Sequence, residues 1–378
     1  MLNPNCRVCQ SRSLEKVLET PPLPEYIWPV SSPELAALSP CDVYRCQECH
    51  HIQLQSFTDE KLSSFYVHGS FVEENMQAKE LRLNRILKSL GNSFFVGKKI
   101  LDVGGGNNPF VKLLKPFTEN IFVSDFDVSR ETEQICNGKV YLGKFEEVKI
   151  GESNFDIILT FHSMEHMNQP ALVVQKMKSL LSPQGTLVVE VPNFLHVVDK
   201  MPYYSIFHQH ISMFTKHSLI GLFHRHGFRL DHVIVEDSVL FMTFRHSDDN
   251  LPIKTEDTSR FALGQFSEKM KFLGHKIEAI LLDEKPSRLS VYGAGGSSAL
   301  FIHQLPVIRE KLRLCFDRDP SKQVKFVPGT TVQIEGPEKI GKSDFVVFLS
   351  NQIREIFRAE LRCPVISVEE ILYQFGGN

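Results

Sequence analysis

Nowhere in the 378 residues is there an apolar run long enough to cross a membrane. The longest apolar-rich stretches, Phe155–Phe161 and Phe345–Leu349, fall far short of the roughly 18 residues that a spanning helix needs. Positive charge is not in excess either: Lys+Arg number 42 against Asp+Glu 45, a formal net charge of −3. A dedicated nucleic-acid binder neutralises phosphates with clustered basic residues, so this balance excludes that class of partner. The opening MLNPNCRVCQ lacks the charged n-region and apolar h-region of a signal peptide, and the expected compartment is the cytoplasm. There is no low-complexity tract and no repeat with a period of about 20–50 residues, which excludes solenoids. With 42% hydrophobic and 23% charged residues the composition is that of a globular protein. At roughly 100–200 residues per domain the length predicts two or three domains.

Cysteine is present in a pattern. Four of the eight form two close pairs, Cys6-x-x-Cys9 and Cys46-x-x-Cys49. In a reducing compartment such pairs read as a metal site before they read as disulfides. Four thiolates suit the tetrahedral coordination of structural zinc. Cys41, His50 and His51 are candidates to replace one ligand, although each breaks the two-residue spacing. Cys136, Cys315 and Cys363 are scattered and read as small core residues.

Residues 1–60 are rich in Pro and Cys and poor in helical periodicity, as a small metal-stapled module would be. Residues 71–90 read as an amphipathic helix with apolar positions at Leu83, Ile86, Leu87 and Leu90. Strand and helix patterns then alternate through KKILDV, VKLLKPF, NIFVSD, FDIILTF and TLVVEV, which predicts a parallel, doubly wound α/β sheet. Residues 247–260 are polar and read as a linker. A long helix is expected over about 261–284, stopped by Pro286, and a second alternating unit begins at RLSVYGAGG. The expected domains are 1–66, 67–247 and 248–378.

The first chemical motif is Leu101-Asp102-Val103-Gly104-Gly105-Gly106-Asn107-Asn108, placed after a strand and before a helix. Glycines there let the backbone approach a ligand closely. The third glycine of a dinucleotide fingerprint is absent, which disfavours NAD. Asp127, about 20 residues beyond Gly104, is at the distance from which a carboxylate accepts from ribose hydroxyls; Asp125 is the competing candidate. A further strand, Phe155–Phe161, runs into His162-Ser163-Met164-Glu165-His166. In order, these segments resemble motifs I, II and IV of class I S-adenosylmethionine methyltransferases.

The resemblance widens when the whole chain is read. CRVC, CQEC, FYVHGS, EVPN, FHQHISMF, VYGAGG, FVPGT and SNQIREI follow one another in an order similar to the sugar C-methyltransferase family. That family joins a zinc module, a class I methyltransferase core and a C-terminal Rossmann-like domain. Its members methylate C3 of nucleotide-linked 4-keto-6-deoxy sugars, in deoxysugar biosynthesis. The likeness implies S-adenosylmethionine as cofactor, held by Asp102, Gly104, Gly106, Asp127, Phe145, Phe161 and His162. It implies structural zinc on Cys6, Cys9, Cys46 and Cys49. It also implies substrate contacts from Tyr66, His68, Gly293, Ala294, Gly295 and Asn351, with His210 as general base and His208 positioning or polarising the adjacent oxygen.

Three features keep other readings open. The family block Tyr-His-Glu-His is here Phe207-His208-Gln209-His210, so a hydroxyl and a carboxylate are absent. Phe145 and Phe161 suit a hydrophobic core as well as a cofactor contact. Gly293–Gly296 suits a plain strand-to-helix turn as well as a diphosphate cradle at a helix N-terminus. The expected function is thus methyl transfer to a nucleotide-activated sugar, at carbon through an enolate. The alternatives are O- or N-methylation of a related sugar, or a non-catalytic binding or scaffold protein of the same fold. The expected partner is the small nucleotide sugar, with no nucleic acid and no membrane, and the chain is a monomer or dimer.

Overall fold

A computed structural model describes residues 5–64, 76–106, 110–235, 238–248, 256–342, 344–358 and 361–376. Tyr66, His68, Asn107 and Asn108 lie outside the described residues.

The N-terminal module is built from β1 (Leu14–Leu18), the short pair β2 (Leu23–Pro24) and β3 (Leu38–Ser39), β4 (Val43–Cys46), β5 (Ile52–Leu54) and α1 (Asp59–Ser64). Its two Cys-x-x-Cys turns are built alike. The Gln10 amide donates to the Cys6 carbonyl at 2.9 Å, and the His50 amide to the Cys46 carbonyl at 3.0 Å. Gln10 and His50, each directly after the second cysteine, turn the chain at φ 62° and 59°, in the left-handed region. The module does not close on itself. Its sheet runs β1-β4-β5-β11, and β11 (Ser212–Met213) belongs to the next domain.

That domain contains α2 (Met76–Leu90), β6 (Ile100–Val103), α3 (Phe110–Leu114), β7 (Ile121–Asp125), α4 (Arg130–Ile135), β8 (Val140–Leu142), β9 (Phe155–Phe161), α5 (Pro170–Leu180) and β10 (Leu181–Pro192). α6 (Phe194–Lys200), β11, α7 (Lys216–Arg225), β12 (Phe228–Val235) and β13 (Val239–His246) complete it. The sheet order is β12-β13-β10-β9-β6-β7-β8, parallel except for β13, which runs antiparallel to both neighbours. The central strands are apolar on both faces because helices cover both sides: Val188 packs with Ile86, Phe110 and Ile157, while Val189 packs with Val174, Met177 and Phe223. Chain reversals are capped locally. Ser129 accepts from the Thr132 amide to start α4, and Thr215 and Ser218 form a capping box at α7.

α8 (Ser259–Glu284) ends at Lys285, which adopts φ 43° just before Pro286. β14 (Arg288–Tyr292), α9 (Gly296–Gln304), α10 (Pro306–Lys311), β15 (Leu312–Phe316), β16 (Ile334–Glu335), β17 (Asp344–Phe348), α11 (Asn351–Arg358), β18 (Val365–Ser367) and α12 (Val368–Tyr373) follow. The second sheet runs β16-β15-β14-β17-β18, all parallel. α8 ties the domains together. Ala262 and Phe266 pack with Val43 and Ile52 of the N-terminal module, while Leu273, Ile277 and Leu281 pack under the second sheet. At its start the buried Arg45 guanidinium donates to Ser259 Oγ at 2.7 Å and pairs with Asp257 at 2.7 Å.

Candidate active site

The carboxyl ends of β6, β7, β9 and β10 converge, and the residues that follow them form the site. Gly104 turns the chain at φ 85°, and a Cβ there would stand 2.1 Å from Ser163 Oγ. At Gly105 it would stand 2.3 Å from the Asp102 carboxylate, and at Gly106 1.9 Å from the Asp127 carbonyl. The three glycines are therefore required by close packing of the loop on its neighbours. Asp102 is buried beneath this turn; burial and the nearby Asp125 carboxylate push its carboxyl up to about 7.

The two acidic candidates separate. Asp125 ends β7 and accepts from the Gly106 amide at 2.8 Å and the Phe126 amide at 2.6 Å. Asp127 is exposed beside the turn, with its carbonyl against Gly106. Phe145 and Phe161 are both core residues, each 5% exposed. Lys176 lies 5.0 Å over the Phe145 ring, and Arg82 lies 5.0 Å over the Phe161 ring.

A charged group that no periodicity announces stands next to the turn. Glu190, at the end of β10 and almost fully buried, accepts from Arg82 Nε at 2.8 Å and Arg85 Nη1 at 2.7 Å, both on α2. His162, at φ 48°, bridges to Glu190 at 3.1 Å and to Glu165 at 3.6 Å. Burial opposes the charge of His162, but the two carboxylates outweigh it and raise the group to about 10. Burial likewise opposes ionisation of Glu165 and Glu190, yet His162, with Arg82 at Glu190, brings both from 4.5 down to about 2. The sign of the pH dependence follows: depressed carboxyls stabilise the fold fully above their unfolded value and lose that contribution as pH falls. The urea midpoint is expected to drop steadily from about pH 5 to about pH 3, and a flat midpoint across that span contradicts the charge group described.

His210 joins this group and His208 does not. The ligand atoms of Glu165, His166 and His210 lie within 4.8 Å of one another. The His166 and His210 rings meet edge-on at 4.9 Å, and the Phe207 ring covers His210 at 4.2 Å. Burial, helped by the neighbouring His166, lowers His210 to about 3, so its ring is neutral at neutral pH. His208 turns the other way, with Nε2 2.9 Å from Ser39 Oγ of the N-terminal module and its ring near Phe57. Glu165 and His166 were visible in the sequence only as the end of a strand motif. Arg82 and Arg85 gave no sequence signal, since the helix was legible only through its apolar face, and Glu190 was visible only as the start of EVPN.

The metal-site candidates come together. The Sγ atoms of Cys6, Cys9, Cys46 and Cys49 lie within 4.8 Å of one another, with Cys6–Cys49 at 3.4 Å and Cys9–Cys46 at 3.5 Å. A tetrahedral ion with bonds of about 2.3 Å separates its ligands by roughly 3.8 Å, so the donor set fits zinc. Cys41 is instead buried in an apolar cluster with Leu23, Val43 and Ile52.

In the C-terminal sheet the strand order reverses between β14 and β17, which is where open parallel sheets form a ligand crevice. Gly293, at φ 98°, and Asn351 stand at the carboxyl ends of these two strands. The Asn351 side-chain oxygen is buried and accepts nothing from the described residues. The Ala294 amide is already engaged: it donates to Asp317 at 2.7 Å, and Lys322 pairs with the same carboxylate oxygen at 3.0 Å.

Comparison with known proteins accords with this geometry. Residues 72–233 match the family model of a methyltransferase domain, and residues 253–364 match that of a C-methyltransferase C-terminal domain. The C-methyltransferase NovU of Streptomyces niveus is 25% identical over 186 residues, covering 44% of this chain and 44% of that protein. The match thus spans less than half of that relative's length. Among solved structures, the PH0226 protein of Pyrococcus horikoshii is similar over 51% of this chain and 100% of its own, with 15% identity and a TM-score of 0.39. An S-adenosylmethionine-dependent methyltransferase of Clostridium acetobutylicum is similar over 50% of this chain and 98% of its own, with 10% identity and a TM-score of 0.37. The seven-stranded sheet with one antiparallel strand and the match at 72–233 mark this part of the chain as a methyltransferase domain. Residues 253–364, in turn, are similar to the C-terminal domain of C-methyltransferases.

Proposed function

We propose that the protein methylates a nucleotide-activated sugar at carbon, the substrate being a 4-keto-deoxy sugar whose ketone acidifies the adjacent C–H bond. The observation that carries this reading is the grouping of His210 with His166 and Glu165 at the carboxyl edge of the sheet. A carbon nucleophile needs a base for that proton and a donor for the enolate oxygen it leaves behind. His210 accepts the proton, and the C–H electron pair moves toward the ketone oxygen. His208, tied to Ser39, steadies the same loop from the N-terminal side. S-adenosylmethionine, when bound, supplies an electrophilic methyl group. Gly104–Gly106 lets it approach the strand ends, Asp102 and Asp125 order that turn, and Asp127 holds its ribose, with Phe145, Phe161 and His162 lining the site. Tyr66, His68, Gly293–Gly295 and Asn351 are proposed to hold the nucleotide sugar, and the four clustered cysteines to hold structural zinc.

Phe207 favours a second reading. Its ring lies on His210 where a tyrosine would bring a hydroxyl, and O- or N-methylation needs less help because the group deprotonated is more acidic. Turnover of labelled S-adenosylmethionine with a panel of nucleotide sugars decides between them. Label on carbon supports the first reading and label on oxygen or nitrogen the second, while binding of the cofactor without turnover on any sugar leaves a binding or scaffold role. Asp127→Ala is expected to weaken S-adenosylmethionine binding by about 1.5–3 kcal/mol, the scale of a charged hydrogen bond. Unchanged affinity by calorimetry refutes the assignment of the ribose to Asp127.

A further inference from the structure

The amino ends of three parallel strands border a cavity of about 520 Å³, at the opposite edge of the sheet from the glycine turn. Lys99 precedes β6, Asn120 precedes β7, and Lys139 precedes β8, in which Tyr141 lies. With Phe122 and Glu152 these residues line the cavity, and none of them enters the methyl-transfer reading. Small-molecule sites span roughly 300–1,000 Å³, so the space suits a ligand of that size.

Two ammonium groups converge there on one aromatic ring. Lys99 Nζ lies 5.5 Å and Lys139 Nζ 4.9 Å from the centre of the Phe122 ring. Each is held in place. Lys99 pairs with Glu152 at 2.6 Å, donates to the Ser153 carbonyl at 2.9 Å and covers the Phe155 ring at 4.9 Å. Lys139 donates to the Asn120 side-chain oxygen at 3.2 Å and pairs with no carboxylate among the described residues. Both act on the Glu152 carboxyl, Lys99 directly and Lys139 from farther off, and hold it below its ordinary value. Glu152 is itself nearly half exposed, on a loop outside any helix or strand. The cavity thus carries two positioned cations and one anion that can turn into solvent.

We infer that this cavity binds a phosphate monoester, its phosphate bridging Lys99 and Lys139 in the place of Glu152 and its organic body lying along Tyr141. Near neutral pH such a phosphate carries about −1.5 to −2 charges and three acceptor oxygens. It answers both ammonium groups, whereas the single charge of Glu152 answers one directly. Cations already held by an aromatic ring and a hydrogen bond lose little side-chain freedom on binding. The Tyr141 hydroxyl and the Asn120 amide group supply neutral donors. The space is larger than a bare phosphate fills, and the remainder suits a sugar or a nucleoside.

Calorimetric titration of the full-length protein with inorganic phosphate, ribose 5-phosphate and uridine 5′-monophosphate tests this without any methyl-transfer assay. Both esters are expected to bind more tightly than inorganic phosphate, and the tighter of the two identifies the organic body. Lys139→Gln and Lys99→Gln should each weaken that binding by about tenfold or more, the scale of a lost charged hydrogen bond. Glu152→Gln should strengthen it severalfold, because the competing carboxylate is gone while both cations remain. A general loss of structure would not give that sign. Absence of ester binding at millimolar concentration overturns the inference. So does binding that is unchanged in both lysine variants, since the anion then sits elsewhere. Inorganic phosphate that binds as tightly as the esters, or Glu152→Gln that fails to bind more tightly, overturns it equally. If a lysine variant does not fold, the comparison with Glu152→Gln still decides.

Discussion

Cys46→Ser is expected to yield little soluble protein, and what remains should melt far below the parent. Zinc held by four cysteines contributes folding energy directly, on the order of 10–16 kcal/mol in small zinc modules, against a total domain stability of about 5–15 kcal/mol. The effect should not stay within the N-terminal module. Arg45, one residue before Cys46, grips the start of α8 through Ser259 and Asp257, and β5 carries β11 of the methyltransferase domain on its edge. Loosening the cysteine turns therefore releases contacts in all three domains. Metal analysis of pure protein should give about one zinc per chain. Cys41→Ala, which trims an apolar cluster, should leave that stoichiometry intact. A content well below one zinc, or a Cys46→Ser protein that melts like the parent, would falsify the assignment.

His210→Asn is expected to abolish most methyl transfer while S-adenosylmethionine binds as before. Loss of a general base costs about 10²–10⁴ in rate, and a group that acts only in the chemical step changes kcat without changing cofactor affinity. The carbon-acid mechanism makes a further demand. In heavy water a 4-keto sugar should exchange its C3 hydrogen for deuterium without methyl transfer, and only when His210 is intact. Exchange that persists in His210→Asn removes this residue from the role of base. Methylation without any exchange, with the new group on oxygen or nitrogen, moves the reading to the runner-up.

The Cys-x-x-Cys pairs, the strand–glycine–strand order and the long helix ahead of Pro286 were legible because each is a local pattern. Spacing along the chain is enough to express a turn, an amphipathic face or a metal knuckle. His210 was legible through the block that contains it, and the structure supplies its company. The same block contains His208, whose ring nitrogen meets Ser39, 169 positions away, a contact that no local pattern expresses. Phe145 and Phe161 read equally as core or contact from sequence; their burial and their covering cations show how much of each ring the protein itself already occupies.

By itself the sequence determined the kinds of element, their order, the two Cys-x-x-Cys pairs and the glycine turn, since each depends on residues within a few positions of one another. The tertiary structure alone decided which distant charges meet. Arg82 and Glu190 are 108 positions apart, and only the parallel sheet brings the end of β10 under α2. It likewise decided that β11 completes the N-terminal sheet, that Asp317 takes the Ala294 amide, and that the Glu165 carboxylate is buried against His166. The physical reason is that burial and Coulomb energy depend on distance through space, and neither leaves a periodic trace along the chain.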